Sequence, residues 1–425
     1  MPKFSLNASK KTKHTPAGEI PVDWACVKLG DVVNPIQSGA SVSGDNQPPV
    51  ENEIGVLKVS AVTSGVFIPN QSKRVTGSET KRLRNSVNAN SILVNRANGS
   101  ADLVGTAVLV YDHFENLFLP DKIWQITPIT EKADLRFLGS IVTSRHFRRI
   151  VLNRASGGTG MMNIGSKSYL NIPIPLPPLP EQRKIAAILS TWDTALEKLD
   201  ALIAAKTRRK QALMQQLLRR VASTEKLANV QHRFGDVVSR VTRKNTTGET
   251  NVLTISAKHG LVSQKDYFNR NVSGKDLSKY YLLKRGEFAY NRSSAIGYPY
   301  GALKRLEEYE SGVLSTLYLC FNIKDVSETS AAYLCHYFES GLLNQGLQAI
   351  AKEGARAHGL LNVTASEFLD LDIFIPSFEQ QKKIAAVLDT ADAELRILQK
   401  QRATLEQQKR GLMQQLLTGK VRVIT

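Results

Sequence analysis

The chain has 425 residues, 42% hydrophobic and 7% aromatic, which suits two or three folded domains. No apolar run approaches the roughly 20 residues of a membrane span, the N-terminus lacks the apolar core of a signal peptide, and Cys26, Cys320 and Cys335 are too few and scattered for a disulfide framework or a zinc site; a cytoplasmic location is expected. The excess of 56 Lys and Arg over 38 Asp and Glu gives a net charge of +18 and favours a polyanionic partner, nucleic acid first. A membrane surface is disfavoured, since no basic amphipathic helix carries a Trp/Phe/Leu face.

In chain order, a basic polar extension occupies residues 1–17. From Ile20 the chain reads IPVDWACVKLGDVV. Short β-rich runs then alternate with Gly/Asn/Ser turns, as in ILVNRANGS from Ile92 and VGTAVLVY from Val104. A helical patch, FLGSIVTSRHFRRIVLN from Phe137, precedes GMMNI from Gly160. This texture predicts a first α+β domain over residues 1–180.

Pro177, Pro178 and Pro180 bar an earlier helix start, so a long helix is predicted over 181–220. Its apolar positions step Ile185, Leu189, Trp192, Leu196, Leu199, Ile203, then Lys206 and Lys210, then Leu213 and Leu217. Steps of four and three are the seam of a coiled coil. About 40 helical residues reach roughly 60 Å, the length of a strut rather than a core helix.

The second half repeats the first. FGDVV from Phe234 matches LGDVV from Leu29, and LTISAKHGLVS from Leu253 matches LKVSAVTSGVF from Leu57. EFAYNRSSA from Glu287 matches ILVNRANGS, keeping an Asn–Arg pair in each copy, with Gly105 and Gly301 following. STLYLCFNI from Ser315 is β-rich, AAYLCHYFESGLLNQGLQAI from Ala331 is helical, and GLLNV from Gly359 matches GMMNI. A second α+β domain is therefore predicted over 221–378. Pro376 then precedes a second helix and tail over 379–425, with Gly419 placed to cap the helix. Its seam runs Ile384, Leu388, Ala391, Leu395, Leu398, Arg402, Leu405, Lys409, Leu412 and Leu416. The two helices keep a constant offset of 199 residues from Ile185 and Ile384 down to a shared LMQQLL. A helix with one narrow apolar stripe must bury it, and the other copy is the natural partner. Two unrelated helices on separate domains would not share a register. At Lys206, Lys210, Arg402 and Lys409 the stems are expected to cover the seam while the charges reach water.

The paired junctions IPLPPLPEQRKIAAIL and FIPSFEQQKKIAAVL, each opening a long helix, together with IPVDWACVKLGDVV and the closing LMQQLLTGKVRV, make the chain resemble the specificity subunit of a type I restriction–modification system over essentially its whole length. The resemblance implies two pseudo-repeated, mixed α/β target recognition domains separated by a long antiparallel two-helix coiled coil. Each domain would read one half of a split double-stranded DNA site. Two modification subunits would dock on the helices and supply S-adenosylmethionine chemistry at adenine N6. Two restriction subunits, using ATP and Mg, would complete the endonuclease, with no cofactor or metal on this chain itself.

The residues agree that the chain binds and positions. The (N/D)PP(Y/F) loop of adenine methyltransferases is missing; the nearest string, NQPPV from Asn46, interposes a Gln and lacks the aromatic. SGGTG from Ser156 opens no clear βα unit, no GxxxxGK[ST] exists, and no nuclease-like carboxylate cluster is evident. Candidate DNA contacts in the first domain are Lys73, Arg74, Lys81, Arg82 and Arg84. Those in the second are Lys258, His259, Lys265, Arg270, Lys284, Arg285, Arg356 and His358. Lys and Arg neutralise phosphates, and Arg can clamp guanine; a solvated charged face is the other reading at each position. Asn95–Arg96 and Asn291–Arg292 recur, which favours a shared structural or phosphate role over base reading. Tyr280, Tyr281, Tyr298 and Tyr300 could stack on DNA or fill a core. A pure oligomerisation scaffold and a stand-alone nuclease or methyltransferase are the competing classes. The divergent basic domains argue against the first, and the missing catalytic motifs against the second.

Overall fold

The computed structural model describes residues 6–8, 11–158, 160–227, 232–256, 259–268, 276–295, 297–353 and 361–423. The chain forms two compact units. The first takes Met1–Leu199 with Gln401–Thr425, and the second takes Asp200–Lys400. Each unit thus owns the start of one long helix and the end of the other. Among the described residues, no helix is long and apolar enough to cross a membrane.

In the first unit, four antiparallel strands lie in the order Ala107–Val110, Ser91–Asn95, Ile123–Ile126, Gln37–Ser38. In the second, the order is Ala302–Arg305, Phe288–Asn291, Leu319–Ile323, Val238–Val241. Ranked along the chain, both sheets run third, second, fourth, first. The repeat read from scattered matches is therefore a shared strand order. A second four-stranded sheet in the first unit joins Ser72–Arg74, Gly55–Leu57, Phe114–Phe118 and Ser86–Val87.

Each helical patch is two helices, not one. Leu135–Thr143 ends at Ser144, whose hydroxyl accepts from the Phe147 amide at 3.2 Å and so starts Arg145–Arg154. Ala331–Glu339 and Asn344–Ile350 are split at Gly341, which adopts φ +75°. The β-rich run STLYLCFNI becomes a strand only from Leu319, after a turn at its start.

The long helices span Leu179–Leu227 and Phe378–Leu417. They complete both cores. In the first unit, Ile185, Leu189 and Leu416 are buried with Trp24, Trp124, Phe137 and Tyr169. In the second, Leu218, Ile384 and Leu388 are buried with Phe234, Phe288, Phe321, Tyr333 and Phe368. At about 1.5–3 kcal/mol for each fully buried aliphatic or aromatic side chain, these helix ends are integral to each core.

Candidate DNA interface and its helical support

Within each unit the long helices run antiparallel. Lys409 pairs with Asp193 in the first unit, and Lys206 with Glu394 and Lys210 with Asp392 in the second. One number rises as the other falls. The expected seam residues point inward: Ile185, Leu189, Ile384, Leu388, Leu395 and Leu416 are buried, and Trp192, Leu196, Leu199, Ile203, Leu213, Leu217, Leu398, Leu405 and Leu412 are half-buried. The cationic interruptions differ from expectation. Their charges do not simply reach water. Lys206, Lys210 and Lys409 meet carboxylates on the facing helix, and Arg402 meets Glu406 on its own. Carboxylates facing a half-buried ammonium fix the axial register, as polar seam positions do in coiled coils.

The junction glutamines were missed by sequence reasoning. Gln182 is 1% exposed and Gln381 is fully buried. Gln182 Oε1 accepts from the Asp134 amide at 2.9 Å, and its Nε2 donates to the Lys132 and Pro177 carbonyls at 3.0 and 2.9 Å. Gln381 repeats all three bonds, with the Ser330 amide at 2.8 Å and the Glu328 and Pro376 carbonyls at 2.9 and 2.8 Å. Asp134 and Ser330 are the N-caps of Leu135–Thr143 and Ala331–Glu339. One amide side chain thus bolts Leu135–Thr143 in the first unit, and Ala331–Glu339 in the second, to the base of a long helix. The signal was available: both glutamines sit at the shared 199-residue offset.

The first unit adds a latch. Glu181, 2% exposed, accepts from Trp24 Nε1 at 3.0 Å and from Arg422 Nε and Nη2 at 2.8 and 2.9 Å. Arg422 also grips Asp23 at 2.9 and 2.8 Å. The side-chain hydrogen bond to Glu181 comes first among the causes holding the Arg422 pKa above its ordinary value, and the Arg422 guanidinium holds the Asp23 carboxyl below its own. Gly419 makes this possible. It ends the second helix at φ +68°, and a Cβ there would lie 2.4 Å from Pro21. The first helix carries Arg220 at the matching position and continues.

Among the described residues, some candidate DNA contacts already hold a partner and others are simply exposed. Arg74 is bound to Asp45 at 2.7 Å and Glu53 at 3.0 Å, and Lys73 donates to the Val42 carbonyl. Arg82 pairs with Glu79 at 2.9 Å, and Arg285 with Glu310 at 2.9 Å. Lys81, Arg84, His259, Lys265 and Lys284 are exposed. Lys258, Arg270, Arg356 and His358 lie outside the described residues.

The repeated Asn–Arg pairs bond chiefly to main-chain groups. Asn95 is fully buried, and its Nδ2 donates to the Leu103 carbonyl at 2.8 Å, so it is not on a DNA-facing surface. Its own carbonyl accepts from the Gly105 amide at 2.7 Å. Asn291 is half-buried at the end of the matching strand. Arg96 Nε donates to the Asp121 carbonyl at 2.8 Å. Arg292 donates to the Leu317 and Val363 carbonyls, both at 2.9 Å. In each unit the Arg carbonyl also receives an amide from the MMNI or LLNV segment, Ile164 at 3.0 Å and Leu361 at 2.8 Å. The pairs therefore tie a central strand to the segment before the long helix. The tyrosines likewise serve the core: Tyr281 is buried, Tyr298 donates to Glu339 at 2.6 Å, and Tyr280 packs beside Val252, Leu282 and Val313. Among the described residues, no cluster of His, Cys, Asp or Glu converges as a metal site.

Comparison with known proteins agrees with this architecture. The family model described as the type I restriction modification DNA specificity domain matches twice, over residues 21–206 and 242–407. The type I restriction enzyme MjaVIII specificity subunit of Methanocaldococcus jannaschii is 25% identical over 95% of this chain and 94% of its own length. The EcoEI specificity subunit of Escherichia coli is 28% identical over 43% of this chain, a match spanning 31% of that protein. Among solved structures, the type I restriction–modification S subunit from M. genitalium superposes with a TM-score of 0.53 at 15% identity, covering 97% of this chain and 99% of that one. A chain from a study of complex assembly and conformational transition in the type I system reaches 0.54 at 17% identity, covering 94% and 99%. With both halves matched and the sheet, junction and helix duplicated, the chain belongs to the type I restriction–modification specificity subunits.

Proposed function

We propose that each unit reads one half of an asymmetric, bipartite double-stranded DNA site, and that the paired helices set the unspecified spacer and dock two modification subunits. The duplicated junction carries this reading. Gln182 and Gln381 seat two unlike domains on one repeated helical base, as a device with a constant frame and variable readers requires. Half-sites one helical turn apart lie roughly 34–36 Å centre to centre. A helix of 49 residues reaches roughly 70 Å, enough to bridge them. The unlike surfaces of the two domains call for unlike half-sites. Methyl transfer from S-adenosylmethionine to adenine N6 belongs to the modification subunits, and ATP- and Mg-dependent cleavage to two restriction subunits. The chain itself contributes positioning, in the cytoplasm of a prokaryotic cell.

Sequencing modified adenines in cells with and without this chain tests the reading. The expected result is one split motif with unequal halves that disappears with the gene. A single continuous motif would sink it.

A further inference from the structure

The first unit holds a groove of about 1020 Å³ walled by the loop Thr63–Phe67, the helices Leu135–Thr143 and Arg145–Arg154, and the long-helix turns around Asp193 and Glu406. Seven Arg and Lys side chains line it against two carboxylates. Both carboxylates are already taken: Asp193 pairs with Lys409, and Glu406 with Arg402 and Arg410. Arg148 donates to the Asp102 carbonyl. That leaves Arg136, Arg145 and Arg149, which are exposed and meet no carboxylate among the described residues. Arg145 and Arg149 stand one turn apart on one helix face. Tyr111 lines the same groove with 52% of its surface exposed, and the Arg136 guanidinium lies 5.4 Å from its ring centre. Val66, on the loop wall, is 68% exposed.

We propose that this groove binds a single strand of nucleic acid, its bases stacking on Tyr111 and the Arg136 guanidinium and its phosphates meeting Arg145 and Arg149. Aromatic faces set in a cationic groove hold single strands with little regard to sequence, because every base has a π-face. The volume decides between strand and duplex. It lies at the top of the roughly 300–1,000 Å³ range of small-ligand pockets. That is room for a few nucleotides of one strand and too little for a duplex, whose major groove alone is about 12 Å wide. A duplex also keeps its bases stacked on one another and would leave the Tyr111 ring unused. An acidic peptide would satisfy the arginines but has no flat face to offer the ring. The site is confined to the first unit: the second helix of the matching pair, Asn344–Ile350, has no charged residue. The proposal goes beyond the reading of duplex half-sites, since it concerns a strand that has left its complement.

The full-length chain is titrated into a fluorescein-labelled oligothymidylate of about 12 nucleotides, and into a duplex of the same length, with anisotropy read at stepped salt. Wild type and Tyr111→Phe are expected to bind the strand alike. Tyr111→Ala should bind it about 5- to 150-fold more weakly, the worth of one stacked base, with duplex binding unchanged. Arg145→Ala/Arg149→Ala should flatten the salt slope for the strand by about 1.4, at roughly 0.7 per lost contact. A wild type that does not bind the strand, or a Tyr111→Ala variant that binds it as wild type does, overturns the proposal. Arginine variants that weaken strand and duplex equally, with Tyr111→Ala silent, also overturn it and make the groove a duplex phosphate surface. Displacement of the strand by ATP alone overturns it in favour of a mononucleotide pocket. None of these outcomes bears on the split-site reading, which the methylated motif tests separately.

Discussion

Glu181 and Gln380 hold the same place in the two junctions, yet Glu181 is buried under Trp24 and Arg422 while Gln380 is exposed. The repeat is thus broken where the strand Val421–Val423 pairs with Leu6–Ala8. The carboxylate at this point meets both Arg422 and the Trp24 indole.

Arg422→Met should leave the Glu181 carboxylate buried without its cation. Removing one partner of a buried pair costs about 3–5 kcal/mol. The expected result is a lower denaturant midpoint for the first unit, read from tryptophan fluorescence because Trp24, Trp124 and Trp192 all lie there, with partial recovery in Arg422→Lys. An unchanged midpoint would show that the latch contributes nothing.

Acid should loosen the same latch through Asp23. Its carboxyl is held below the ordinary value, mainly by hydrogen bonding to Arg422. The stabilisation is therefore full above the unfolded value near 3.9 and is lost as pH falls through the lower folded value. Between pH 5 and 9 this group should add no slope. Denaturation of wild type and Asp23→Asn at stepped pH should give curves that converge only in acid; a gap that persists there would remove Asp23 as the source.

Gln182→Ala and Gln381→Ala should each strand a helix-capping amide and two carbonyls. An unsatisfied buried polar group costs about 1–3 kcal/mol. Faster hydrogen exchange at the Asp134 amide in the first variant, and at the Ser330 amide in the second, is the expected local signature. Exchange that stays at wild-type rates would exclude the anchoring role.

Phosphate contact should distinguish exposed cations from paired ones. In the assembled complex, Lys81→Ala or Arg84→Ala should weaken binding to all sequences and flatten the salt dependence by about 0.9 per lost contact. Arg74→Ala should instead reduce stability and leave that slope unchanged, because Asp45 and Glu53 already hold its charge. A slope altered by Arg74→Ala and untouched by Lys81→Ala would reverse the assignment.

The helices were legible because their stripe is local: Ile185, Leu189 and Leu196 announce themselves by spacing alone. Gln182 was not, since two of its three partners are main-chain groups about 50 residues upstream with no compositional mark. Arg74 looked like a free contact for a related reason. The carboxylates that neutralise it, Asp45 and Glu53, are remote in sequence. Recurrence at Asn95–Arg96 and Asn291–Arg292 suggests a common role, but only burial shows Asn95 to be internal. The split at Ser144 escaped because a serine amid helix formers reads as helix until its side chain is seen capping.

The first unit joins residues up to Leu199 with residues from Gln401 onward. On the ribosome its early segments must wait while the intervening residues are made, roughly 10–40 s at 5–20 residues per second. The second unit, Asp200–Lys400, needs nothing that follows it. During synthesis the order of maturation is therefore inverted: the domain translated later finishes earlier, and the domain translated first is sealed by Val421–Val423, a strand that emerges after the other domain is complete.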